Sequence, residues 1–211
     1  MTDNFDLIWN YMQDLGAVNN PEAALKTDLF FDVQLIRRGK DHPNLPAANY
    51  TFKAYYFDNL EAFDKAVDEI KKCCDMFGLR AYVSVNLKSK QEAAKKTLER
   101  YAHNVVTGEF RKPWRDFSSV CGGLEGKEKR WAVDCDDCDD TGAYLQNIIS
   151  SIRQCESSYD DPIVTIIPTK SGLHIITHPF NINRFKKICD AKSITPPEIK
   201  KNYTLLYENL K

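Results

Sequence analysis

The run Arg130-Trp131-Ala132-Val133-Asp134-Cys135-Asp136 constrains the fold of this chain more than any other. It reads as a β-strand that ends in carboxylates. Side chains alternate across a strand, so Ala132, Asp134 and Asp136 share one face and Trp131, Val133 and Cys135 the other. The apolar set must meet a core. The two carboxylates then stand roughly 7 Å apart along the chain, and they repel each other unless a cation sits between them. Hard divalent cations such as Mg²⁺ take oxygen ligands of this kind. A carboxylate leaving a core strand needs a partner, which singles out Asp134. Asp137, Asp139 and Asp140 suit a solvated turn, with Asp139 or Asp140 capping the next helix. Cys135 and Cys138 have CxxC spacing, but no second pair follows to complete a zinc site.

Periodicity predicts the elements around this strand. Apolar spacing gives a helix over 3–15, closed by Gly16. Strands are expected over 29–36, 50–57 and 80–87. Between the last two, Asn59 caps a helix over 60–77 that Gly78 ends. This β-α-β run looks like one α/β unit. A basic helix is expected over 89–106 and an irregular stretch over 107–128, where a lobe boundary falls. The carboxylate strand comes next, then a helix over 141–155. Strands 163–167 and 173–177 form a hairpin across Lys170-Ser171-Gly172, and a short helix over 183–189 precedes a last strand over 203–207. The second half is thus β-α-β-β-α-β, the split pattern also seen in RNA-recognition folds. The expected class is α+β: an N-terminal helix and α/β unit with its basic helix over 1–115, joined to an RRM-like half over 116–211.

Net charge is −1, but its distribution is uneven. Residues 86–115 carry eight Lys/Arg against three Glu, and residues 134–140 carry five Asp and no base. The bland reading is a solvated helix face beside an acidic loop. The functional one is a phosphate-backbone footprint on Lys88, Lys90, Lys95, Arg111, Lys112 and Arg115, beside a metal site. The N-terminus carries no basic region followed by an apolar stretch, and no apolar run reaches the roughly 20 residues that span a membrane. The seven cysteines are odd in number and include adjacent Cys73-Cys74. A cytoplasmic protein is therefore expected.

Two further segments carry chemistry. In Pro168-Thr169-Lys170-Ser171-Gly172-Leu173-His174, a hydroxyl, a glycine and an imidazole lie close together and can grip a phosphate. An ordinary hairpin turn reads equally well from these residues alone. His178 is expected to be structural. In Pro197-Glu198-Ile199-Lys200-Lys201, Glu198 offers a third carboxylate, and Lys200 or Lys201 can reach phosphate.

Taken in order, Ala132-Val133-Asp134-Cys135-Asp136, Thr169-Lys170-Ser171-Gly172-Leu173-His174-Ile175 and Glu198 before Thr204-Leu205-Leu206-Tyr207 resemble the three catalytic motifs of the archaeo-eukaryotic primase superfamily. Glu198 stands where that family more usually has Asp. The resemblance covers 129–207 by motif and 29–87 by pattern. It looks like a minimal, stand-alone version of the kind found in phages and mobile elements. It implies an RRM-like catalytic core and a metal-dependent nucleotidyltransferase of primer synthesis. Asp134, Asp136 and Glu198 would hold Mg²⁺ or Mn²⁺. Lys170, Ser171, Gly172 and His174 would contact the phosphates of a nucleoside triphosphate, with Arg37, Arg38 and Lys40 in support. A single-stranded DNA template and a replication partner such as a helicase are implied as well. Two other readings stay open: a nucleotide- or nucleic-acid-binding module without catalysis, with Tyr82 and Tyr203 as stacking residues, and a metal-dependent phosphoesterase.

Overall fold

The computed structural model describes residues 1–16, 28–44, 48–110, 113–126, 128–136 and 142–209. Arg111, Lys112, Asp137, Cys138, Asp139 and Asp140 lie outside them. The elements in chain order are β1 (Thr2–Asp3), α1 (Phe5–Asp14), β2 (Leu29–Arg37), β3 (Tyr50–Phe57), α2 (Leu60–Lys65), α3 (Val67–Phe77), β4 (Arg80–Ser84), β5 (Lys88–Ser89), α4 (Lys90–Thr107) and α5 (Pro113–Gly123). After them come β6 (Trp131–Asp136), α6 (Ala143–Arg153), β7 (Ile163–Pro168), β8 (Gly172–Thr177), α7 (Ile182–Ala191), β9 (Glu198–Lys200) and β10 (Tyr203–Glu208). The class is α+β, as expected.

Two antiparallel sheets organise the chain. The first has the order β1-β10-β4-β2-β3, with β5 added beside β2. The second has the order β7-β8-β6-β9. Its strands β6 and β7 are joined through α6 and lie on either side of β8, which is a split β-α-β connection.

The strand alternation expected at 131–136 is present. Val133 and Cys135 face a core with Leu145, Ile148 and Ile152 of α6 and Phe185 and Cys189 of α7. Ala132, on the opposite face, joins the larger core under the first sheet, with Ile167, Ile176 and Leu206. That core also holds Phe5, Ile8 and Met12 of α1, Phe63 of α2 and Ile70 of α3 against Phe31, Val33, Leu35, Ala81 and Val83. Each such side chain contributes about 1.5–3 kcal/mol by leaving water. A third cluster packs Val120, Cys121 and Leu124, at the C-terminal end of α5, on Phe30 from the other face of the first sheet. Asn4 links the sheets, its Nδ2 donating to Pro168 O at 2.8 Å and Leu205 O at 3.0 Å.

Three expectations need correction. The helix over 60–77 is two helices, because the Ala66 N–H bonds back three residues to Phe63 O and tightens the chain there. The stretch 107–128 holds α5, which starts at Pro113, a residue suited to a first helical position. The strand over 203–207 does not complete the second sheet. It crosses to the first and pairs with β1 and β4, while three-residue β9 takes the fourth place beside β6.

His178 has a structural setting. Its Nδ1 lies 2.8 Å from Arg130 Nη1, and Tyr159 stacks on its ring at 3.4 Å. Burial, then the Arg130 charge, lowers its pKa below the ordinary value. The unfolded chain therefore takes up this proton first. The associated stability is present above the unfolded pKa, about 6.5, and is lost as pH falls from there through the folded value. Urea unfolding at about pH 7.5 and pH 5.5 should show the loss, and His178→Asn should flatten it. An equal slope in the variant would refute the assignment.

Candidate active site

The second sheet presents Asp134, Asp136, His174, Glu198 and Lys200 to a cleft of about 200 Å³ against the first sheet. Register explains the grouping. β6 is central, so Asp134 lies opposite His174 on one side and Glu198 on the other, and Asp136 lies opposite Gly172. Directly paired residues share a face, which brings three carboxylates and an imidazole onto one surface.

Asp134 is the most constrained of them. Its Oδ1 is 2.9 Å from His174 Nε2, and its Oδ2 accepts from Lys200 Nζ. His174 Nδ1 in turn lies 2.8 Å from Thr204 Oγ1 on β10, so the chain Thr204–His174–Asp134 ties the two sheets together at the cleft. Burial alone would raise the Asp134 pKa. Hydrogen bonds and charge from His174 and Lys200 outweigh it and hold the carboxyl at about 2. Asp136 is exposed, with the Ser171 hydroxyl 3.4 Å from its Oδ1. The turn before β8 closes through Thr169 N donating to Gly172 O at 2.8 Å. It carries Thr169, Lys170 and Ser171 to the cleft rim.

The first sheet supplies the facing wall: Arg38, Lys40, Arg80 and Tyr82. Arg80 is committed elsewhere, to Asp41 at 2.7 Å and Glu208 at 3.0 Å. Arg38 donates through Nη1 to the Tyr82 hydroxyl at 2.8 Å. Among the described residues, Arg38, Lys40 and Lys170 make no salt bridge to a carboxylate, though the charges of Arg38 and Lys40 reach Asp41, so three cations can turn to an anion.

The cleft thus gathers Asp134, Asp136, Glu198, Lys170, Ser171, His174, Arg38 and Lys40, with Gly172 behind them. Several expected contributors stand elsewhere. Arg37 does not line it. Lys88, expected at a nucleic-acid surface, is 1% exposed and paired with buried Asp32 at 2.5 Å. Lys90 pairs with Asp58 at 2.9 Å, Lys95 is exposed on α4, and Arg115 lies beside the Trp114 ring on α5. Lys201 turns toward the Trp131 ring rather than the cleft. The sequence reading missed the roles of Thr204 and of Lys200 as the Asp134 counterion. Strand alternation would have found Lys200, two residues from Glu198 and so on its face.

The donor set suits a hard divalent cation in kind, since three carboxylates share the face. Both Asp134 oxygens are taken by His174 and Lys200, and among the described residues no three His, Cys, Asp or Glu side chains converge as one ligand cage. Ion binding at Asp134 therefore requires Lys200 to swing aside.

No helix among the described residues is long and apolar enough to cross a membrane. No protein-family model, curated protein or solved structure matches the chain.

Proposed function

We propose that the protein is a metal-dependent nucleotidyltransferase of the primase type, built on an RRM-like half joined to an α/β half. The observation that carries this reading is the facing of two charge sets across one cleft: Asp134, Asp136 and Glu198 on the second sheet, Arg38 and Lys40 on the first, with Lys170 on the rim. Carboxylates alone suit a metal, and cations alone suit an anion. The two together suit a metal–triphosphate. The split β-α-β order of the second sheet supports the RRM-like description. Cys73, Cys74, Cys121, Cys155 and Cys189 are free thiols, which suits a reducing cytoplasm.

Asp134, Asp136 and Glu198 would hold Mg²⁺ or Mn²⁺, which when bound supplies charge neutralisation at the phosphates and acidity at an attacking hydroxyl. Arg38, Lys40, Lys170 and the Ser171 hydroxyl bind the triphosphate oxygens. His174, fixed by Thr204, holds the Asp134 carboxylate in place. Lys200 leaves Asp134 and turns to phosphate. A 3′-hydroxyl oxygen then bonds the α-phosphorus, its proton passes to solvent, and pyrophosphate departs. Catalysis here is positioning and electrostatics.

One observation favours a second reading, a nucleotide-binding module without catalysis: both Asp134 oxygens are already occupied. A primer-extension and de novo synthesis assay with Mg²⁺ and Mn²⁺ separates the two. Nucleotide addition by the wild type that falls at least about a thousandfold in Asp134→Asn/Asp136→Asn, with folding intact, is the expected result. No product from folded wild type across metals, templates and both sugar types, with nucleotide still bound in EDTA, would establish the module instead.

A further inference from the structure

A trough leaves the cleft and runs over the open face of the first sheet to α5. Next to the cleft it is a depression of about 260 Å³ that shares Arg38, Tyr82, His174 and Lys200 with it. Beyond Asn49, Tyr50 and Thr51 it widens to about 510 Å³ between β3 and α5. Its floor is uncharged and polar, with Gln34, Thr51 and Tyr203. The α5 wall is pinned to α4 by Tyr101 Oη donating to Pro113 O at 2.8 Å and Asn104 Nδ2 donating to Asp116 Oδ2 at 2.9 Å.

We infer that this trough binds single-stranded nucleic acid and delivers it to the cleft, an inference that rests on the cleft being a site of nucleotide addition. Two observations carry it. The first is charge. Among the described residues no Asp or Glu lines the trough between α5 and the cleft, whereas Arg115 and Arg38 do, with Lys200, the Asp134 counterion, at the cleft end. A polyanion meets no repulsion along this path. The second is aromatic surface: Tyr50 is 45% exposed and Trp114 56%, whereas Phe52 turns to Phe77 of α3. Every base has a π-face, so such side chains hold unpaired bases whatever the sequence, while cations track the backbone. The Arg115 guanidinium lies 5.1 Å from the Trp114 ring centre, placing charge beside a stacking platform. The basic face of α4 lacks such platforms. Its large exposed hydrophobics are Leu98, Val105 and Val106.

The test is fluorescence anisotropy of a labelled oligothymidylate with the full chain in EDTA, with thermal melts confirming that each variant folds. Tyr50→Ala and Trp114→Ala are each expected to weaken binding about tenfold, and Arg115→Ala to reduce the salt slope by about one. Lys95→Ala on α4 should bind like the wild type, and a duplex of equal length should compete poorly. Trough variants that bind like the wild type, or a duplex that binds as tightly as the single strand, would overturn the proposal, as would binding of an aromatic-rich peptide in place of the oligonucleotide. Asp134→Asn/Asp136→Asn should retain the strand. Strand binding that depends on Tyr50 and Trp114 in a protein that never adds nucleotide would keep the trough and remove the catalytic reading.

Discussion

Asp32→Ala is expected to destabilise the protein by about 3–5 kcal/mol. Asp32 is wholly buried, and its carboxylate is the counterion of Lys88, itself 1% exposed, at 2.5 Å. Lys88 Nζ also donates to Cys121 O at 2.8 Å and to the Tyr203 hydroxyl at 3.2 Å. The second Asp32 oxygen accepts from Tyr203 Oη at 2.6 Å and Gln34 Nε2 at 3.2 Å. Burial, then the Asp32 charge, pushes the Tyr203 phenol far above its usual range, so it stays a donor. Removing the carboxylate alone leaves a buried ammonium with neutral hydrogen-bond partners and no counterion. Replacing both charges, as Asp32→Leu/Lys88→Met, should recover most of the loss, because apolar side chains carry no desolvation cost. Urea denaturation of Asp32→Ala and of the double variant measures this. A single variant that loses less than about 1 kcal/mol would show that water or another group reaches the ammonium.

This network lies under the proposed strand path. It joins β2, β5 and β10 to the C-terminal end of α5, and Gln34 and Tyr203 are both network members and trough floor. Asp32→Ala should therefore also weaken oligothymidylate binding, and the double replacement should restore stability more fully than binding.

How much of this was legible in the sequence depended on the range of the cause. Alternation at 131–136 is local, and it placed Asp134 and Asp136 on one face and Val133 and Cys135 in the core. Caps at Asn59 and Gly78 are local too, and both were readable. The basic run over 86–115 misled because charge does not report burial. Lys88 looks like its neighbours in sequence, and only the crossing of β10 and the packing of α5 place it in the interior. Glu198 was legible as a carboxylate but not as a strand residue, since three residues are too few to show a period. Helix α5 was hidden by Pro113, Gly122 and Gly123, which fall at its ends, where they cost little. The trough pairs 50–54 with 114–122, so its aromatic and cationic lining comes together only through tertiary packing.

Gly172→Ala should be the most damaging single-methyl change at the site, costing on the order of 3 kcal/mol and most of the activity. The sequence suggests a glycine chosen for a flexible turn, but the structure gives a different reason. Gly172 lies opposite Asp136, and a Cβ there would stand 2.0 Å from Cys135 O and 3.1 Å from Asp136 Cα. Those are backbone atoms and cannot rotate away, so β8 must separate from β6 to admit a methyl group. Two residues along β8 is His174, whose Nε2 bond to Asp134 at 2.9 Å fixes the carboxylate. Strand separation therefore loosens fold and site together, whereas Ser171→Ala removes one hydroxyl and leaves the pairing intact. Gly123→Ala is the control, because nothing lies within 4 Å of its added Cβ. Denaturation midpoints and nucleotide addition for the three variants should rank Gly172→Ala far below Ser171→Ala and Gly123→Ala. A Gly172→Ala protein as stable as the wild type would mean that the β6–β8 ladder yields at this point. The geometry of Asp134 would then not depend on the closeness of those two strands.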